Sequence, residues 1–120
     1  IFVIDFETAT ETEYQQLADS IDEGFGRLDG LLHNAALLGV LTSIASYSIA
    51  TWQQLMSVNV NAPFILTKKC LPLLQKSPRA SIIFTGSSVG LKGRAYWGAY
   101  SISKAAIENL TQVLADELAM

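Results

Sequence analysis

The stretch "SIIFTGSSVGLKGRAYWGAYSISK", Ser81 to Lys104, decides the fold class. It opens on a short apolar run that reads as a buried strand over Ile82–Thr85. It closes on residues that begin a helical periodicity. That period predicts a helix from about Tyr100 to Leu118, with Ala106, Ile107, Leu110, Val113 and Leu114 toward the core. Between strand and helix lie glycines and two adjacent hydroxyls, Ser87 and Ser88. A strand that leads through a polar turn into an amphipathic helix is the repeating unit of a parallel α/β sheet.

The same unit recurs toward the N-terminus. "IFVID" (Ile1–Asp5) reads as a buried strand. Thr10 and Glu13 then form a capping box, and Tyr14, Leu17, Ala18, Ile21 and Phe25 follow at helical spacing. Gly24 and Gly26 close that helix. A short buried strand is expected around Leu31–His33. Thr51 and Gln54 offer a second capping box, opening a long helix to about Leu74. Its apolar stripe is Trp52, Leu55, Asn59, Ala62, Leu66, Cys70 and Leu73. "KSPR" is a turn. The order is therefore β-α-β-α-β-α. It predicts an α/β fold with a parallel sheet of three strands, and ligands beyond the strands' carboxyl ends at Asp5, Asn34 and Gly86–Ser88.

Composition agrees with such a core. Half of the 120 residues are hydrophobic and 16% are charged, against about 25% in ordinary soluble domains. A net charge of −3 gives no electrostatic basis for binding nucleic acid or an acidic membrane. No apolar run reaches the roughly 18 residues of a membrane span. The single cysteine, Cys70, excludes an internal disulfide and suits a reducing, cytoplasmic setting. With a single His and a single Cys, no metal site is expected. Ile1 stands where no initiator Met precedes it, and "ELAM" stops within a helical pattern, so both ends look cut.

Two glycine motifs need weighing. "GFGRLDG" carries Gly24, Gly26 and Gly30, but these end a helix and precede a strand, the reverse of a dinucleotide loop. "GSSVG" matches G-x-S-x-G, which makes a serine hydrolase using Ser88 an alternative. Against it, "LKGRAYWG" does not open a helix, and His33 precedes the serine instead of following it.

Tyr100 and Lys104 stand at i and i+4 and share a helix face. On a helical wheel Lys104 lies the farther from the stripe centred on Leu110, and a surface Lys paired with Glu108 is the simplest reading. A catalytic reading is also available. A free phenol titrates near about 10, and a neighbouring ammonium favours its phenolate. A Tyr–Lys pair can therefore act as an acid/base couple, with a hydroxyl from the preceding turn orienting a carbonyl. Asn59 interrupts an apolar stripe, where an amide needs partners. Pro63, four residues later, has no N–H to give the Asn59 carbonyl. The helix is expected to kink there and leave that carbonyl free to hold water.

With "HNAA" (His33–Ala36), Asn59 in "VNVNAPF", "GSSVG" and "YSISK" in one chain, the sequence resembles the short-chain dehydrogenases/reductases over essentially its whole length. "RLDGLLHNA" and "GRAYWGAY" place it near an uncharacterised bacterial subgroup of oxidoreductases. The resemblance implies a partial Rossmann-like, doubly wound parallel sheet and NAD- or NADP-dependent hydride transfer between an alcohol and a carbonyl. Tyr100 would be the proton donor, and Lys104 its helper and a ligand of the nicotinamide ribose. Ser87 would orient the carbonyl, since it precedes Tyr100 by the family's usual interval. Asn59 would hold the water of a proton relay. Asp5, Asn34, Ala35 and Ala36 would join Tyr100 and Lys104 in binding the cofactor. His33 and Ala36 replace an Asn and a Gly of the family's N-N-A-G, and His33 is then structural. A small-molecule alcohol or carbonyl substrate and, in a complete chain, homo-oligomers are also implied.

These 120 residues contain no T-G-x-x-x-G-x-G loop. Set against the family's strand order, residues 1–120 are the central part of one domain, in which two further strands separate the first run from the second. The isolated 120 residues are accordingly expected to be inactive. A non-catalytic nucleotide-binding or interaction domain of the same fold is the remaining alternative.

Overall fold

The computed structural model describes residues 1–119. Helix α1 (Glu11–Phe25) opens with the expected capping box: Thr10 accepts from the Glu13 N–H, and the Glu13 side chain accepts from the Thr10 N–H. It ends at Gly26, whose φ of 73° is the left-handed cap that favours glycine. Gly24 lies within the last turn and does not close it. Strands β1 (Gly30–His33) and β2 (Ser81–Phe84) pair in parallel, with Leu31 opposite Ile82 and His33 opposite Phe84.

The chain between the strands is helical. Helix α2 (Ile49–Met56) is capped by Ser48, whose Oγ accepts from the Thr51 N–H. Thr51 is therefore inside the helix, and the expected Thr51–Gln54 box is not formed. The interruption expected from Pro63 is present as a π turn over Ser57–Asn61. There the register slips, so that the Ala62 N–H bonds the Ser57 carbonyl. Helix α3 (Ala62–Leu74) continues the line, and helix α4 (Gly98–Leu118) begins two residues before Tyr100.

The core lies on one face of the sheet. Tyr14 from α1 and Ala62, Leu66, Cys70 and Leu74 from α3 are buried together, with Leu31 and Ile82 of the strands against them. Burial pushes the Cys70 thiol above its usual value, so it packs as a small apolar group. Glu11 Oε1 and Lys69 Nζ, 2.8 Å apart, join α1 to α3 at the surface.

Three expectations are corrected. First, Ile1–Asp5 is not a strand: the described sheet has two strands, and among the described residues none pairs with residues 1–5 to complete a ladder. Ile4 and Phe6 still pack on the core, Phe6 stacking on Tyr14 at 6.0 Å, while Ile1 and Val3 are exposed. Second, β1 and β2 are covered on one side only. Leu32 and Ile83, on the alternate face, are 62% and 56% exposed. Third, the buried side of α4 carries Ala99, Ser101, Ser103, Lys104 and Ile107, whereas Val113 is 43% exposed. The N-terminal half of α4 is clamped by α2, the π turn and the loop after β2, so its burial follows those contacts and not the apolar stripe.

Candidate active site

The site forms where the two strands end. Thr85, the residue after β2, makes three bonds there. Its N–H donates to the His33 carbonyl at 3.0 Å, its Oγ1 donates to Asn34 Oδ1 at 2.9 Å, and its carbonyl accepts from Lys104 Nζ at 3.0 Å. Thr85 was not singled out in the sequence, because a backbone carbonyl leaves no mark on residue type.

Lys104 is 6% exposed. Among the described residues no carboxylate pairs with it, so the surface Lys104–Glu108 reading is overturned. Desolvation pushes the ammonium below the usual lysine value. Its Nζ lies 5.7 Å from the Tyr100 ring centre, over the ring, an arrangement that favours the cation. One ammonium proton is used on Thr85, and two remain for other acceptors.

The Ser87 loop is pressed against the same helix. After Ser87, in extended conformation, a single 3-10 turn spans Ser88–Gly90. Ser101 Oγ donates to the Val89 carbonyl, holding the turn on α4. Gly90 is what allows this contact, since a Cβ there would stand 2.8 Å from the Lys104 carbonyl carbon and 2.9 Å from its Cβ and its carbonyl oxygen. Gly90→Ala is therefore expected to cost about 1–3 kcal/mol of overpacking and to move Ser87 away from Tyr100. Melting temperature and turnover of the complete protein check it. A variant as stable and active as the parent would show that turn and helix separate freely.

A cleft of about 500 Å³ opens between these elements, lined by Ala36, Leu38, Ser87, Val89, Trp97 and Tyr100 among others. No hydrogen bond among the described residues uses the side-chain hydroxyl of Ser87 or Tyr100.

Asn59 is 3% exposed and fully engaged. Its Oδ1 accepts from the Leu37 N–H at 2.7 Å, and its Nδ2 donates to the Leu37 carbonyl at 2.8 Å and to Ser103 Oγ at 3.1 Å. Ser103 in turn donates to the Tyr100 carbonyl at 2.7 Å. The side chain thus ties the loop after β1 to the Tyr100 turn of α4 and has no proton left over. Its π turn sits where the carbonyl was expected to be freed.

The cofactor candidates divide. Ala36 lines the cleft, and Asn34 is bonded to Thr85, outside the lining. Ala35 is exposed between them. Asp5 is not brought to the cleft: its Oδ1 accepts from the Glu7 N–H in the turn before α1.

His33 is a packing residue, as the resemblance implied. It stacks on Phe84 at 4.6 Å, and its Nε2 lies 2.8 Å from Thr67 Oγ1. Desolvation lowers it from 6.5 to about 4, so the folded protein holds it neutral. Below 6.5 the unfolded chain takes up a proton that the folded chain refuses until about 4. Stability should therefore fall as pH drops through that window. His33→Gln should remove part of that slope in denaturation midpoints measured from pH 7 to 4; an unchanged slope would exclude His33 as its source.

The geometry gives the hydrolase alternative no support. Ser88 is exposed in a 3-10 turn without positive φ, where a nucleophile elbow is strained, and α4 begins only at Gly98. His33 is occupied with Phe84 and Thr67.

Comparison with known proteins agrees with this geometry. The family model described as short chain dehydrogenase matches residues 1–120. The uncharacterized oxidoreductase YciK of Escherichia coli is 53% identical over 97% of this chain. A benzil reductase of Saccharomyces cerevisiae is 34% identical over 86% of it. A Shigella flexneri structure solved in complex with NADP superposes with a TM-score of 0.93 at 52% identity, covering 97% of this chain and 48% of that one. An Escherichia coli structure complexed with NADPH superposes equally well, again at 52% identity, covering 97% and 48% of the two chains. The chain spans about half the length of these relatives, 46% of YciK and 41% of the benzil reductase. With its whole length matched by the family model and its parallel sheet superposing on those structures, this chain belongs to the short chain dehydrogenase family.

Proposed function

We propose that this chain carries the reacting side chains of an NAD(P)-dependent oxidoreductase that interconverts an alcohol and a carbonyl compound. The observation that carries the reading is the buried, carboxylate-free Lys104 held over the ring of a cleft-lining Tyr100, with Ser87 on the same cleft. The residues present fit the nicotinamide-ribose end of such a cofactor. The two unused protons of Lys104 suit sugar hydroxyls, Asn34 is bonded to the same Thr85 as Lys104, and Ala36 lines the cleft with Tyr100. They offer no comparable cradle for the pyrophosphate, since α1 begins with Glu11 and Glu13 at its positive end. NADP is favoured over NAD by the Shigella flexneri and Escherichia coli complexes.

A bound reduced nicotinamide would supply the hydride to the carbonyl carbon. Ser87 donates a hydrogen bond to the carbonyl oxygen and orients it. Tyr100 gives its hydroxyl proton to that oxygen as the carbon–oxygen π pair moves onto it, which completes the alcohol. The phenolate left behind is stabilised by the Lys104 charge. Reprotonation runs through a water at the π turn of Asn59, whose side chain keeps Leu37 and Tyr100 in register. Alcohol oxidation is the reverse. In a complete protein the exposed Phe64 and Val113, on α3 and α4, supply apolar surface for a homo-oligomer contact.

Oxidation of NADPH by the complete protein, in step with alcohol formed from an added carbonyl compound, tests the reading; binding without any turnover would favour a non-catalytic nucleotide-binding domain. Residues 1–120 alone are expected to show no such activity and to bind NAD(P)H very weakly. The backbone donors of a glycine-rich loop are the main pyrophosphate ligands in such folds. Calorimetric titration of that polypeptide with NADH and NADPH checks this, and micromolar affinity would refute it.

A further inference from the structure

Besides the hydroxyls of Ser87, Ser88 and Tyr100, the cleft is lined by apolar residues, and two of them, Leu38 and Trp97, are fixed by the backbone. Leu38 is 48% exposed. Its neighbour Leu37 is gripped at both N–H and carbonyl by Asn59. Its other neighbour, Gly39, turns the chain with a φ of 70°. Trp97 has its ring 6.1 Å from that of Tyr100. The Trp97 N–H donates to the Arg94 carbonyl, and its own carbonyl accepts from the Ser101 N–H as α4 begins. Tyr96, just before it, holds a φ of 72°, among the described residues the only non-glycine with positive φ. A bulky residue in that conformation stores strain, and such strain collects where a side chain must be aimed. Among the described residues no charged side chain lines the cleft; Lys92 and Arg94 of the adjoining loop are exposed and stand outside its lining.

We propose that Leu38 and Trp97 determine specificity in this cleft, selecting an uncharged carbonyl compound that bears a flat apolar substituent. The inference rests on the carbonyl-reductase reading above. A planar group beside the Tyr100-bound carbonyl meets the Trp97 ring and the Leu38 methyls. A carboxylate or phosphate at that place finds no partner for its charge and loses its water.

The test uses the complete protein with NADPH and three probes: methyl phenyl diketone, phenylglyoxylate (a carboxylate in place of the acetyl group) and diacetyl. The expected kcat/KM for methyl phenyl diketone exceeds that for phenylglyoxylate by about tenfold or more. Trp97→Ala is expected to lower it about tenfold, mostly through KM, with a smaller loss for diacetyl. Leu38→Arg, at an exposed position, should shift the preference toward phenylglyoxylate, and it keeps the test open if Trp97→Ala fails to fold. Equal or better use of phenylglyoxylate by the parent protein overturns the proposal while leaving the reductase reading intact. So does a Trp97→Ala loss that is the same for both diketones. Turnover of none of the three, with NADPH still bound, overturns the reductase reading and this proposal with it.

Discussion

Replacing Tyr100 with Phe in the complete protein is expected to lower carbonyl reduction by at least about a hundredfold, the scale of a lost general acid. Cofactor affinity should stay close to that of the parent. Phe keeps the ring that faces Trp97 and Lys104 and removes only the hydroxyl, which no other described group uses. The fold therefore loses no internal hydrogen bond, and melting should hardly change. Steady-state reduction together with a fluorescence titration of NADPH separates the two effects. Parent-like turnover in the variant would remove Tyr100 from the mechanism.

Lys104→Met is expected to impair both cofactor binding and turnover, the latter by about a hundredfold or more. In the proposed mechanism one ammonium serves both: it stands over the Tyr100 ring, and its hydrogen bond to the Thr85 carbonyl leaves two protons for a cofactor. Stability should respond differently. The ammonium is buried without a counter-charge, and Met fills a similar volume without that desolvation cost. A loss of activity with melting unchanged or raised would thus report on chemistry, not on unfolding. Had Lys104 been a surface residue, its removal would change stability by less than about 1 kcal/mol and leave activity alone. Normal activity in Lys104→Met would return it to that role.

The order of elements from α1 onward was legible in the sequence because each depends on near neighbours. Thr10 and Glu13 form their capping box within four residues, and Gly26 ends α1 through its own backbone freedom. Pro63 announces the interruption of the helix because it lacks a donor of its own. The apolar stripe through Leu55, Ala62, Leu66 and Cys70 is buried as its period required. Tyr100, Lys104 and Asn59 stood out by residue type and position, Ser87 through the resemblance, and the fold gathers the four where β1 and β2 end.

What the sequence could not settle were quantities set by a distant partner. "IFVID" has every local property of a strand. A strand nevertheless exists only through its ladder, and no described segment completes one. Lys104 read as a surface residue on the helical wheel of α4. Its burial comes from Gly90, fourteen residues earlier, whose missing Cβ lets the Ser88–Gly90 turn sit on the Lys104 backbone. Likewise, the two hydrogen bonds Asn59 gives and takes at Leu37, and the carbonyl Thr85 offers Lys104, belong to backbone atoms that carry no residue identity. Residue type, period and the family's motifs thus determined the elements from α1 onward and which side chains are candidates for chemistry. The tertiary structure alone decided which of those side chains are dry, paired and aimed at the cleft, because desolvation and hydrogen-bond partners are supplied from across the fold.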